Sequence, residues 1–319
     1  MSIDNPLRRV DRSLATSADP PSLPRAPRRW TRLHAALIVG FLVLLPLPLA
    51  AAFGWFGLNP VQAERTAPVG SLAHELLSGF PDNALTVEIA AAPGASPPPA
   101  SVSLLWNRMN ETLQKGSIRF VSERIALPSA AWTTDALFSV EQSVRQYWPG
   151  LGQMALFYLC VPGSYAVDPG VLGLAFRGSS IAVFADTIAT TAGGGDPAPI
   201  TSTVLIHEFG HELGLVGLVG NAPNEDPSHP GHSTDPSDVM YYAVETTAGL
   251  GGLLGGAAPP TQFDAADLSD LQTVRNTPIA LELIPPIVLA VCWVGALIAL
   301  VAFWRAGRKA RTLAASLTA

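Results

Sequence analysis

Two long uncharged runs, residues 35–58 and 283–304, constrain this chain more than any other feature. A helix crosses a bilayer core with about 20 apolar residues, and these runs are 24 and 22 residues long. Pro46 and Pro48 interrupt the first and Pro285 and Pro286 open the second, which membrane helices tolerate. The reading is two transmembrane helices. Charge is sorted around them. The tail 1–34 carries seven Arg and three Asp, and the tail 305–319 carries Arg305, Arg308, Lys309 and Arg311 with no acid. The 224 residues between the runs carry 22 acidic and 8 basic residues. Basic residues that flank a span stay on the cytoplasmic side. Both tails are therefore expected to be cytoplasmic, and the acidic middle extracytoplasmic. A cleaved signal, cut near Ala63 after Val61-Gln62, is the alternative to an anchor for the first run.

Composition narrows the function classes. Charged residues make up 14 % of the chain and hydrophobic ones 48 %, against roughly 25 % charged in a usual soluble domain. That excludes a disordered acidic protein and a nucleic-acid binder with a basic surface. The two cysteines, Cys160 in the middle segment and Cys292 in the second run, are not expected to pair. The outer domain must then be held by its own core, for which its length suffices.

Along the chain, 1–34 reads as a disordered basic tail and 59–100, rich in Ala, Pro and Gly, as a spacer. Residues 101–278 read as the folded extracytoplasmic domain. Val102, Leu105, Trp106, Met109 and Leu113 recur at helical spacing. A strand is expected over 117–127, a helix over 134–147, and strands over 154–161, 172–177 and 180–188. A helix capped by Thr201 or Ser202 should run to about Gly214, and a last one should span 261–275. This order suggests an α+β domain.

The chemistry concentrates in His207-Glu208-Phe209-Gly210-His211. Residues four apart share one helix face, so His207 and His211 can present two imidazoles to one zinc ion. Glu208 then stands beside the metal, where it can take a proton from the attacking water. Gly214 follows where a helix must end for the chain to turn back. A catalytic zinc needs a third protein ligand. His232 and His229 are the candidates, the latter with Glu225, Asp226 and Asp235 nearby.

These residues resemble the metzincin zinc metallopeptidases, and within them the matrixins, whose pattern is HExxHxxGxxH followed by a Met-turn. His207, Glu208, His211 and Gly214 match, whereas Gly217 stands where the third histidine would be. The stretch from Gly231 to Tyr241 looks like the matrixin segment that holds the third ligand eight residues before the Met. The resemblance then implies an insertion over about 216–230, His232 as third ligand and Met240 beneath the metal. Tyr242 stands where astacin-like metzincins place a transition-state tyrosine; packing under the site is the simpler role. The resemblance further implies a twisted mixed sheet with an active-site helix and a C-terminal helix, the latter carrying Phe263, Asp264, Asp267, Leu268 and Leu271. It also implies a substrate-pairing edge strand, for which 180–188 is the candidate. No matrixin-type propeptide cysteine motif is present.

The expected protein is a membrane-anchored zinc metalloendopeptidase with Zn2+ as cofactor, Glu208 as general base, and a protein or peptide and the lipid bilayer as partners. The competing class is an inactive, membrane-anchored zinc- or peptide-binding protein. An intramembrane protease is disfavoured, because the motif lies far from both apolar runs among charges and prolines.

Overall fold

The computed structural model describes residues 67–276 apart from 81, 151, 219–221 and 255–257, together with six positions between 294 and 308. In chain order the elements are α1 (Ala73–Leu77), β1 (Ala84–Ala91), α2 (Pro99–Thr112), β2 (Ser117–Arg124), β3 (Ala130–Trp132), α3 (Thr134–Val144), β4 (Gln153–Val161), β5 (Gly163–Tyr165), β6 (Gly173–Arg177) and β7 (Ser180–Phe184). There follow α4 (Ala185–Thr191), α5 (Ala198–Glu212), a 3-10 turn (Tyr242–Glu245), α6 (Thr247–Leu254) and α7 (Ala265–Asn276).

Five strands form one sheet in the order β2-β1-β4-β7-β6. β1 is parallel to β2 and β4, β4 is parallel to β7, and β6 alone runs antiparallel, against β7. β3 and β5 form a separate parallel pair. Parallel neighbours need crossovers: α2 lies between β1 and β2, and α2 and α3 lie between β1 and β4, whereas β4 reaches β7 through β5 and β6. The domain is thus a mixed α/β fold built on a mixed sheet, where the sequence pattern suggested α+β.

Strand alternation sorts the core into two layers. Met154, Leu156, Tyr158 and Cys160 of β4 pack with Leu85, Val87 and Ile89 of β1 against α2 and α5. Phe157, Leu159 and Val161 point the other way, to Trp132 and to Leu137 of α3. Burial on both faces explains why β4 reads as an unbroken apolar run. Tyr158 donates its hydroxyl to the Leu205 carbonyl at 3.1 Å, which ties α5 to the sheet.

Several expectations need correction. The stretch 59–100 is not a plain spacer: it contributes α1 and β1, and β1 lies inside the sheet. The folded unit therefore begins before residue 101. The strand expected over 180–188 stops at Phe184, and residues 185–191 are helical. It is also an interior strand, and the edge strand next to it is β6, with β2 at the opposite edge. α3 ends at Val144 rather than Tyr147, because Arg145 turns extended and joins a buried network with Glu141, Ser179 and Ser180. The Glu88 carboxylate then accepts from the backbone N–H groups of Gln146 and Tyr147. α5 begins at Ala198, with Pro199 in its first turn. Asp196 accepts from Ala198 N–H at 2.9 Å, while Thr201 and Ser202 sit inside the helix and donate back to Pro197 and Ala198. A helix start suits proline, which has no N–H to leave unpaired.

Among the described residues no helix is long and apolar enough to cross a membrane. The two apolar runs and the two tails lie outside those residues, apart from the six positions noted above, and so does the possible cleavage near Ala63.

Three carboxyls meet where the Met240 turn joins α7. Asp238, Asp264 and Asp267 each place an oxygen within 4.8 Å of the others. Asn224 donates to Asp267 Oδ1 at 3.3 Å, while Asp267 Oδ2 is buried without a partner. Burial, followed by the neighbouring Asp238 charge, pushes the Asp267 carboxyl from 3.8 up to about 9. The folded state therefore holds this proton after the unfolded chain has released it. Stability is full below pH 3.8 and is lost as pH rises through about 9. Asp267→Asn should flatten that loss and be more stable than the parent at pH 8, by on the order of 1 kcal/mol, and so unfold at a higher temperature. Thermal melts from pH 5 to 9 check this; parallel curves for the two proteins would refute it.

Candidate metal centre

α5 is buried along its length from Ile200 to Glu212. A buried helix has to justify each polar side chain it carries, since an unpaired buried polar group costs about 1–3 kcal/mol. Glu212 accepts from Ser180 N–H at 3.2 Å, a contact that fixes the helix under the β6–β7 turn. His207, Glu208 and His211 remain, and they face one place.

The helix stops in the manner its sequence suggests. Gly214 takes φ 71°, a conformation that costs glycine little. Its N–H donates to the His211 carbonyl at 3.0 Å, and Leu215 N–H donates to the Gly210 carbonyl at 3.2 Å. This paired closure is a Schellman C-cap. Beyond it the chain departs through 216–230 and returns at His232. There Asp226 N–H donates to the His232 carbonyl at 2.7 Å, and Ser233 N–H donates to Met240 at 2.8 Å.

Three imidazoles converge. His207 Nε2 lies 3.1 Å from His211 Nε2. The His232 ring stacks 5.3 Å from that of His207 and stands edge-on, 5.0 Å from that of His211. His207 Nδ1 is 2.7 Å from the Val239 carbonyl oxygen, which can only accept. The ring hydrogen is therefore on Nδ1, and the Nε2 lone pair points into the cluster. Ligating histidines are oriented in this way in metal sites. His232 Nε2 is buried without a hydrogen-bond partner.

A fourth group, not identified from the sequence, joins them. Glu245, at the end of the 3-10 turn, places Oε1 3.1 Å from His232 Nε2, 3.7 Å from His211 Nε2 and 3.8 Å from His207 Nε2. Together His207, His211, His232 and Glu245 form a cluster that could hold a metal ion. Burial alone would raise the Glu245 carboxyl, but the three imidazoles outweigh it and hold the group far below the usual carboxylate range. Burial lowers His211 to about 4. His232 is raised: its burial is outweighed by Glu245 and by the backbone of His229 and Pro230. A neutral His211 offers the free lone pair that a metal requires.

Glu208 sits beside the cluster rather than in it. Its Oε2 accepts from Ala175 N–H of β6 at 2.7 Å, and its Oε1 is buried with no partner. Burial and the Glu245 charge raise its pKa well above an ordinary glutamate. One oxygen is thus fixed and the other is available to receive a proton.

The remaining expected residues are placed as follows. Met240 is fully buried against α5 at Gly210, where an added Cβ would lie 2.2 Å from the Met240 sulfur. Only glycine allows the turn to approach this closely. His229 is not in the cluster: its Nδ1 pairs with Asp226 Oδ2 at 2.7 Å, and its ring stacks 3.7 Å from that of Tyr242. Tyr242 therefore packs on the returning loop.

No protein-family model and no curated protein matches the chain. Among solved structures, it is similar to the archaemetzincin of Methanopyrus kandleri at 16 % identity and a TM-score of 0.41, over 62 % of this chain and 98 % of that one. What the site can do is carried by its own side chains.

Proposed function

We propose that the chain is a zinc-dependent endopeptidase of the metzincin type, matrixin-like, with an insertion over 216–230 before its third histidine. The observation that carries this reading is the convergence of His207, His211 and His232 with Glu208 alongside. Three imidazoles with an adjacent carboxyl group suit zinc better than a hard cation, which prefers oxygen. When bound there, zinc would polarise a scissile carbonyl and acidify water.

The chain's own residues account for the rest. His207, His211 and His232 hold the ion, and Met240 supports them from below. Glu208 takes a proton at Oε1 from the attacking water and returns it to the leaving amine. Its Oε2 stays bound to Ala175 N–H, so the base is aligned with the edge strand. β6 has no strand partner on its outer side among the described residues. An extended peptide laid along it would add a strand, with affinity from the backbone and modest sequence preference. The helices over 35–58 and 283–304 would hold the domain at the outer face of a bilayer, with both tails, 1–34 and 305–319, in the cytoplasm.

The test is the purified full chain in mild detergent. One zinc per chain is expected, with hydrolysis of casein or a peptide library that chelation abolishes and added zinc restores. Zinc without turnover would favour an inactive binding protein. Turnover indifferent to chelation would refute the reading.

A further inference from the structure

We propose that Glu245 is a fourth protein ligand of the metal, closing the site in the resting protein so that substrate must displace it. This rests on the zinc-site reading and adds to it a built-in latency.

His207, with its ring hydrogen turned to the Val239 carbonyl, directs its Nε2 into the cluster, 3.1 Å from His211 Nε2. A carboxylate oxygen within 3.8 Å of all three Nε2 atoms adds a fourth electron-rich donor to the same space. His232 Nε2 is buried and makes no hydrogen bond, although Glu245 Oε1 lies 3.1 Å from it. A cation shared by all four converging donors would satisfy them together. The spacing agrees: donors around one tetrahedral ion lie about 3.3–3.5 Å apart, given bond lengths of about 2.0–2.2 Å, and these separations run from 3.1 to 3.8 Å.

The placement of Glu245 is built into the fold. Leu172 N–H donates to the Glu245 carbonyl at 2.8 Å, and Thr247 N–H donates to the Gly170 carbonyl at 2.9 Å. The backbone is thereby clamped between the Met240 turn and the segment that enters β6. The side chain is one-third exposed, whereas the three histidines are buried. Glu245 therefore covers the solvent side of the cluster, the side from which a peptide must arrive. Rotation of its side chain, with no backbone movement, would open the position.

The test uses the full chain loaded with Co2+, whose visible spectrum reports coordination, and acetohydroxamate as a small metal-chelating probe. Parent, Glu245→Ala, Glu245→Gln and His211→Ala are compared. Both Glu245 variants should still bind one metal, with a changed cobalt spectrum and an affinity lower by on the order of 10- to 100-fold. They should also take up acetohydroxamate at concentrations at least about tenfold lower than the parent. Parent-like spectrum, metal affinity and probe uptake in either folded variant would overturn the proposal. Absence of metal from the parent, or equal metal in His211→Ala, would instead overturn the underlying zinc reading, so the two failures are distinguishable.

Discussion

Glu208→Gln is expected to keep the parent's metal content and to cut peptide hydrolysis by ~10²–10⁴-fold, the range that a positioned general base contributes. Glutamine has the same shape, and its amide oxygen can still accept from Ala175 N–H, as Glu208 Oε2 does at 2.7 Å. The three imidazoles are not disturbed, because Glu208 is not one of the converging donors. What disappears is the basic oxygen: Oε1 is buried and unpartnered, and no other carboxyl replaces it at that position. Metal analysis together with kcat on a fluorogenic peptide separates the two roles. Full activity in Glu208→Gln would remove the general base from this mechanism, while loss of metal would recast Glu208 as a ligand.

His232→Ala should abolish metal retention, and His229→Ala should preserve it. Losing a direct ligand exceeds the ~10–100-fold cost of losing a supporting partner. His232 Nε2 has no hydrogen-bond partner to satisfy it otherwise, and its ring lies within 5.3 Å of both other imidazoles. His229 instead pairs with Asp226 and stacks on Tyr242, away from the cluster, with its side chain 42 % exposed. An exposed pair of that kind contributes little, so its loss should loosen the loop and leave the metal in place. Competition against a chromogenic zinc chelator measures both. The reverse result would transfer the third-ligand role to His229.

The two variants also mark where the sequence was legible. His207, Glu208 and His211 lie within one helical turn, and helical periodicity is a local property, so their common facing was readable from spacing alone. Gly214 was readable too, since only a left-handed residue lets the helix close as it does. His232 was reached through its resemblance to a known segment, and two histidines remained candidates until packing separated them. Glu245 carried no signal beyond an acid thirteen residues after His232. Its position follows from a 3-10 turn and from backbone bonds to residues 170–172, which are distant in the chain.

The same division holds for the scaffold. By itself the sequence determined the apolar strand over 154–161, the helix that carries the motif, and the two apolar runs, because each is written in hydropathy and period over neighbouring residues. Tertiary structure alone decided that β1 is an interior strand, that β6 rather than β7 is an edge strand, and that a fourth donor reaches the three histidines. Strand order and side-chain convergence depend on contacts between segments far apart in the chain. Those contacts are set by which faces can be buried together, a quantity no local pattern contains.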